Sequence, residues 1–112
     1  MREIVLSWPQ PDLSPNARVH WSKLARAKKA YRADCAWQAI AQGAKPIKAE
    51  RIAVEFTFHP PSKRRIDLDN CIARLKSGID GLVDVLEVDD SRWDMSFRIA
   101  DTVGGMVKVV IK

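Results

Sequence analysis

A length of 112 residues predicts one domain, spanning residues 1–112. With 46% hydrophobic and 29% charged residues the chain can bury a core, and its composition does not indicate disorder. Nineteen Lys and Arg against fourteen Asp and Glu leave a net charge of +5, which favours an anionic partner, nucleic acid before a membrane surface.

No apolar run approaches the roughly 18–20 residues of a spanning helix. The N-terminus lacks the apolar segment of a signal peptide, so the expected location is the cytoplasm, with no membrane partner. Cys35 and Cys71 have neither CxxC spacing nor a neighbouring histidine, so they are expected to be two buried, reduced thiols.

In chain order, residues 3–8 predict a first strand, ended by a loop with Pro9, Pro11 and Pro15. Ser22 is the expected N-cap of a helix running to Gln42, with Gly43 as its stop. Leu24, Ala27, Tyr31 and Cys35 share one side of that helix and are expected to face a sheet. Residues 52–59 alternate apolar and polar, which defines a half-buried strand. A second helix is expected over 69–83, with Ile72, Leu75, Ile79 and Leu82 as its core stripe. Met95, Phe97 and Ile99 then alternate in a third strand, and Val107, Val109 and Ile111 in a fourth. Gly104-Gly105 predicts a hairpin between them. The order β-α-β-α-β-β implies an α+β, two-layer fold, with two helices on a four-stranded mixed sheet.

Charge is segregated along the chain. From Arg18 to Arg32 there are six bases and no acid, and Lys63-Arg64-Arg65 forms a second basic knot. Between Asp80 and Asp94 lie six acids against the single base Arg92.

The segment Asp67-Leu68-Asp69-Asn70 sits between a strand and a helix. If the backbone is still extended there, both carboxylates point the same way, and a hard divalent cation relieves their repulsion. The alternative is that Asp69 or Asn70 caps the helix while Asp67 is solvated. An EF-hand is excluded, because Ile72 replaces the turn glycine and Gly78 the bidentate glutamate. Asp69, Ala73, Lys76 and Asp80 share one helix face. Asp89-Asp90 is placed to return beside Asp67 and Asp69, giving three carboxylates and a lysine, the makings of metal-dependent phosphoryl transfer. Simple surface pairing, such as Lys76 with Asp80, is the alternative.

Taken in order, Trp8-Pro9-x-Pro11 with Asn16, Asp67 to Asn70, Lys76 with Asp80-Gly81-Leu82, and Asp89-Asp90 resemble the RusA-like Holliday junction resolvases, endodeoxyribonucleases of bacteriophages and prophages. The resemblance covers nearly the whole chain. It implies catalytic, metal-binding acids at Asp67, Asp69 and Asp90, an essential lysine at Lys76, and Asp89 as a further ligand or an orienting group. It further implies Mg²⁺, with Mn²⁺ as a substitute, no organic cofactor, and a homodimer. The substrate is then four-way or branched DNA, resolved by paired symmetric nicks in recombination and repair, in a bacterial cytoplasm or that of a phage host. Lys76 lies nine residues after Asp67, farther than is common in the family, and Ile66 displaces the base that often abuts the first Asp.

Arg18, Lys23, Arg26, Lys29, Lys63, Arg64 and Arg65 are the expected contacts to DNA phosphates. Lys23, Arg26, Lys29 and Arg32 wind around their helix, so they cannot all meet one DNA. Trp21, Trp37 and Trp93 are expected to pack, Asn70 to cap, and His20 and His59 to bind no metal. A non-catalytic nucleic-acid-binding module and an acidic protein-interaction domain are the competing readings.

Overall fold

A computed structural model describes residues 2–112. It contains β1 (Arg2–Ser7), α1 (Trp21–Ala41), β2 (Ile52–His59), α2 (Leu68–Leu86), β3 (Trp93–Ile99) and β4 (Met106–Ile111), with short 3-10 turns at Pro11–Leu13 and Asp90–Arg92. The sheet is four-stranded, in the order β1-β4-β2-β3. β2 and β3 run parallel through the α2 crossover, while β4 lies antiparallel between β1 and β2. This is the α+β, two-layer architecture expected from the sequence. Among the described residues, no helix is long and apolar enough to cross a membrane.

One sheet face carries the core. Ile4, Leu6, Val54, Phe56, Phe58, Val107 and Val109 are buried there, and Leu75, Ile79 and Leu82 meet them from α2. The opposite face shows Glu55, Thr57, Ser96, Arg98 and Lys108, polar and exposed or half-buried. Such one-sided burial is what period-two strands and a single-striped helix produce together.

Four local expectations are corrected. The N-cap of α1 is His20, whose ring nitrogen accepts from the Ser22 N–H, so Ser22 is already helical. Helix α2 runs past Val83 to Leu86 and ends on Glu87 in the left-handed region; Ile72 of its stripe is only half-buried. The stripe of α1 faces mainly α2, because Gly78 and Gly81 notch that helix. A Cβ at Gly78 would lie 2.6 Å from Tyr31, and one at Gly81 only 2.3 Å from the Arg32 carbonyl oxygen. The hairpin between β3 and β4 does not form, since β2 separates the two strands. Their connection instead crosses the end of β2, where Ala100 N–H donates to Phe58 O (2.8 Å) and Gly104 N–H to Pro60 O (2.9 Å).

Helix α1 also closes the free edge of β1. The Gln42 amide accepts from Val5 N–H (2.8 Å) and donates to Val5 O (2.7 Å), as a neighbouring strand would. Gln38 accepts from Ser7 N–H, and the Tyr31 hydroxyl donates to Ser7 O. These contacts blunt an edge otherwise open to pairing with another chain. Cys35 and Cys71 are both buried thiols, and burial pushes Cys35 up to about 12 and raises Cys71 too. Trp93 is buried and donates to Val88 O (2.9 Å). Trp21 and Trp37, expected to pack, are 75% and 69% exposed on the solvent side of α1.

Candidate nucleic-acid interface

The site begins where β2 ends. Pro60-Pro61 stops the strand, and Ser62 to Asp67 cross to α2 as an irregular loop. Extended backbone ends at Asp67, the N-cap of α2, while Asp69 already lies in the first helical turn. The two carboxylates therefore stand as an N-cap and a first-turn acid, and not as a strand pair. Both positions favour negative charge, because the helix presents unpaired N–H groups there. The Asp67 carboxylate makes no capping bond, and Asp69 Oδ1 accepts from Asn70 N–H (3.0 Å). Asn70 is not a cap: its Oδ1 accepts from the buried Ser14 hydroxyl (2.7 Å), tying the proline-rich loop to α2.

A cavity of about 640 Å³ opens at this junction, and its walls include Trp8, Arg64, Arg65, Asp67, Asn70 and Arg74. Neither Arg64 nor Arg65 makes an ion pair with Asp67 among the described residues. Both charges thus line one hollow without neutralising one another. Lys63, with Arg64 and Arg65, lines a neighbouring hollow against the loop 99–103.

Lys76 sits two turns along α2 from Asp69, roughly 10 Å by helical rise. Its ammonium donates to Asp90 Oδ2 (2.6 Å) and to Asp80 Oδ1 (3.2 Å). The bond to Asp90, more than the contact with Asp80, raises the lysine above its ordinary 10.5. Asp89 is turned away: it caps the 3-10 turn by accepting from the Ser91 N–H and hydroxyl, which holds its carboxyl below the usual value.

The structure therefore joins Lys76, Asp80 and Asp90, and it places Asp67 with Arg64 and Arg65. It does not assemble the expected set of Asp67, Asp69, Asp89 and Asp90. Among the described residues no group of three or more His, Cys, Asp or Glu side chains that could hold a metal ion is drawn together. The physical reason is that Lys76 and the Ser91 cap already engage the acids after α2. The donors suit Mg²⁺ in kind, being hard carboxylate oxygens, and Asp67 with Asp69 are exposed and paired to no base among the described residues.

The remaining bases are dispersed. Arg18, Lys23, Arg26 and Lys29 are exposed or half-buried; Lys23 approaches Asp12 (3.7 Å), whereas Arg32 forms a two-pronged pair with Asp84. α1 thus spreads its cations over several sides, as its spacing implied. Sequence reasoning missed Arg74, 7% exposed, whose Nε (3.1 Å) and Nη2 (2.5 Å) donate to Pro9 O while its guanidinium lies 5.7 Å from the Trp8 ring centre. The signal was its place between Cys71 and Leu75, inside the buried stripe.

Side-chain exposure at Lys76 is 61%, so its ion pairs contribute little stability. Lys76→Met is expected to cost less than about 1 kcal/mol at neutral pH in urea unfolding. Because the folded pKa is raised, that contribution is present below pH 10.5 and disappears as pH climbs through the higher folded value. A wild-type advantage that instead grows above pH 10.5 contradicts the pairing.

No protein-family model matches the chain. It is 37% identical over 115 residues to an uncharacterized protein of Xylella fastidiosa strain Temecula1, an alignment covering 99% of this chain and 74% of that protein. The chain belongs to the family of that bacterial protein.

Proposed function

We propose that this protein is a Mg²⁺-dependent, structure-specific endodeoxyribonuclease that acts on four-way DNA junctions as a homodimer. The observation that carries the reading is the cavity at the β2–α2 junction, where Arg64, Arg65 and Arg74 line the same walls as Asp67. Opposite charges kept unpaired in one hollow suit a ligand system with both signs, a phosphodiester and its cation. The ordered resemblance to RusA-like resolvases supports the same substrate.

In this reading Arg64 and Arg65 bind backbone phosphates, which gives sequence-independent, salt-dependent affinity. Asp67 and Asp69 would hold Mg²⁺, and Asp90, joined to Lys76, is the next candidate ligand. A bound Mg²⁺ supplies Lewis-acid stabilisation of the phosphoryl oxygens and a more acidic water. Lys76, steered by Asp80 and Asp90, offers a fixed positive charge to a pentavalent phosphate. One chain carries one such site, so symmetric cutting of two strands calls for two chains.

A second reading, a binding module without catalysis, is favoured by the Lys76 bridge between Asp80 and Asp90, which uses carboxylates that a metal would need. Incubation with a synthetic four-way junction separates the two. Cutting in Mg²⁺ that ceases with a chelator supports the nuclease; binding that never leads to cutting supports the module.

A further inference from the structure

The two edges of the sheet differ. On β1, side chains of α1 occupy the outward backbone groups of Val5 and Ser7. At the other edge, β3 pairs with β2 alone. Just past β3, Ala100 N–H donates to Phe58 O of β2. Backbone groups alternate in direction along a strand, so those of Asp94, Ser96 and Arg98 also turn toward β2. Those of Met95, Phe97 and Ile99 turn outward. Among the described residues no loop or helix backbone bonds this outward set, and no side chain plays the part that Gln42 plays on β1. The side chains of Met95, Phe97 and Ile99 are only half-buried against the core, which leaves apolar surface along the same edge. An unpaired edge beside apolar surface is a template for another strand.

The charges on β3 say which strand fits. Asp94, Ser96 and Arg98 are exposed on the opposite face of the sheet. Arg98 has no ion pair among the described residues, and the Asp94 side chain remains 63% exposed beside Arg51. Two β3 strands laid antiparallel about a two-fold axis at Ser96 set Asp94 opposite the partner's Arg98, and Arg98 opposite the partner's Asp94. In that register Met95 meets the partner's Phe97 with the outward groups of both facing, as in a hydrogen-bonded pair. Asp94 and Arg98 take the non-hydrogen-bonded positions, where side chains approach most closely. A neighbouring register loses this match. Centred on Met95, it sets Arg98 against the partner's Arg92; centred on Phe97, it sets Asp94 against the partner's Ala100.

We propose that two copies of this chain dock through their β3 edges, antiparallel about Ser96, and form one continuous sheet. Such an interface is isologous and self-complementary. It gives the homodimer of the nuclease reading a surface, yet it rests on β3 alone and requires no cutting of DNA.

Sedimentation equilibrium of the full chain tests this, with wild type, Asp94→Lys, Arg98→Glu and an equimolar mixture of the two variants. Both positions are exposed, so neither change threatens the core, and circular dichroism checks the fold. Wild type is expected to sediment as a dimer. Asp94→Lys sets cations opposite one another and Arg98→Glu sets acids opposite one another, so each alone dimerises at least about tenfold more weakly. In the mixture every altered charge meets its opposite, and dimerisation returns. A monomeric wild type, variants that dimerise as tightly as wild type, or a mixture that stays monomeric each overturns the interface. A monomer that still cuts junctions would remove this interface and leave the nuclease standing. A dimer with the expected variant behaviour and no cutting would do the reverse.

Discussion

Gly81→Ala is expected to lower stability by about 2–3 kcal/mol, with a fall in melting temperature of roughly 10 °C for a domain of this size. A methyl at Gly81 meets the Arg32 carbonyl oxygen at 2.3 Å and the Ala36 nitrogen at 3.2 Å. Both are helical backbone, so no side chain can rotate to make room, and α1 must move off α2. Alanine's better helix propensity returns about 1 kcal/mol, and this is already allowed for in the net figure. The same displacement loosens the Tyr31 hydroxyl from Ser7 and the Gln38 and Gln42 amides from β1. Denaturant unfolding reads the loss directly. An unchanged midpoint means that the helices are not in contact at this glycine.

Asp69→Asn is expected to abolish cutting while leaving junction binding within about twofold. The substitution keeps the size of an exposed side chain in the first turn of α2, so the fold loses only its favourable interaction with the helix N-terminus, about 0.3–1 kcal/mol. In the proposed reading, binding rests on Arg64 and Arg65, which the substitution leaves in place, and cutting rests on the carboxylate. Loss of a metal's outer partners alone costs 10–100-fold, so removal of a ligand should cost at least about 100-fold. Gel-shift and cleavage assays on the same junction separate the two effects. Equal loss of binding and cutting would place Asp69 in the binding surface instead.

The architecture was legible because periodicity reports burial. β2 alternates without a break from Ile52 to His59, and the α2 stripe of Leu75, Ile79 and Leu82 reaches the sheet as its spacing implies. Strand order was not legible, because Gly104-Gly105 looks like a hairpin turn whether or not the flanking strands pair. The loop instead uses Gly105, with φ of +69°, to pass across the end of β2. The helix–helix contact was hidden for a related reason, since a glycine that admits a neighbouring backbone reads in sequence as a weak helix residue. Trp21 and Trp37 misled because composition alone does not tell which face of α1 they occupy.

The candidate site was legible in part. The chemistry of Asp67 and Asp69 and the basic knot beside them stood out, and the structure puts Asp67 with Arg64 and Arg65 of that knot around one cavity. The chain was expected to bring Asp90 back beside Asp67 and Asp69; it brings Asp90 instead to Lys76, two turns along α2, through a 2.6 Å bond. Hydrogen bonds between side chains and nearby backbone groups, such as the Asp89 cap on Ser91, compete with ligation, and residue spacing does not show which wins. Arg74 escaped notice because a base within an apolar stripe reads as an outlier, until its Pro9 and Trp8 partners are seen.

The most direct test of the nuclease account is strand-resolved cutting of a synthetic four-way junction beside a linear duplex of the same sequence, in Mg²⁺. The account predicts that the wild type binds the junction in preference to the duplex and nicks it in symmetric pairs. Equal binding of junction and duplex, with no cutting at any Mg²⁺ or Mn²⁺ concentration, would contradict it.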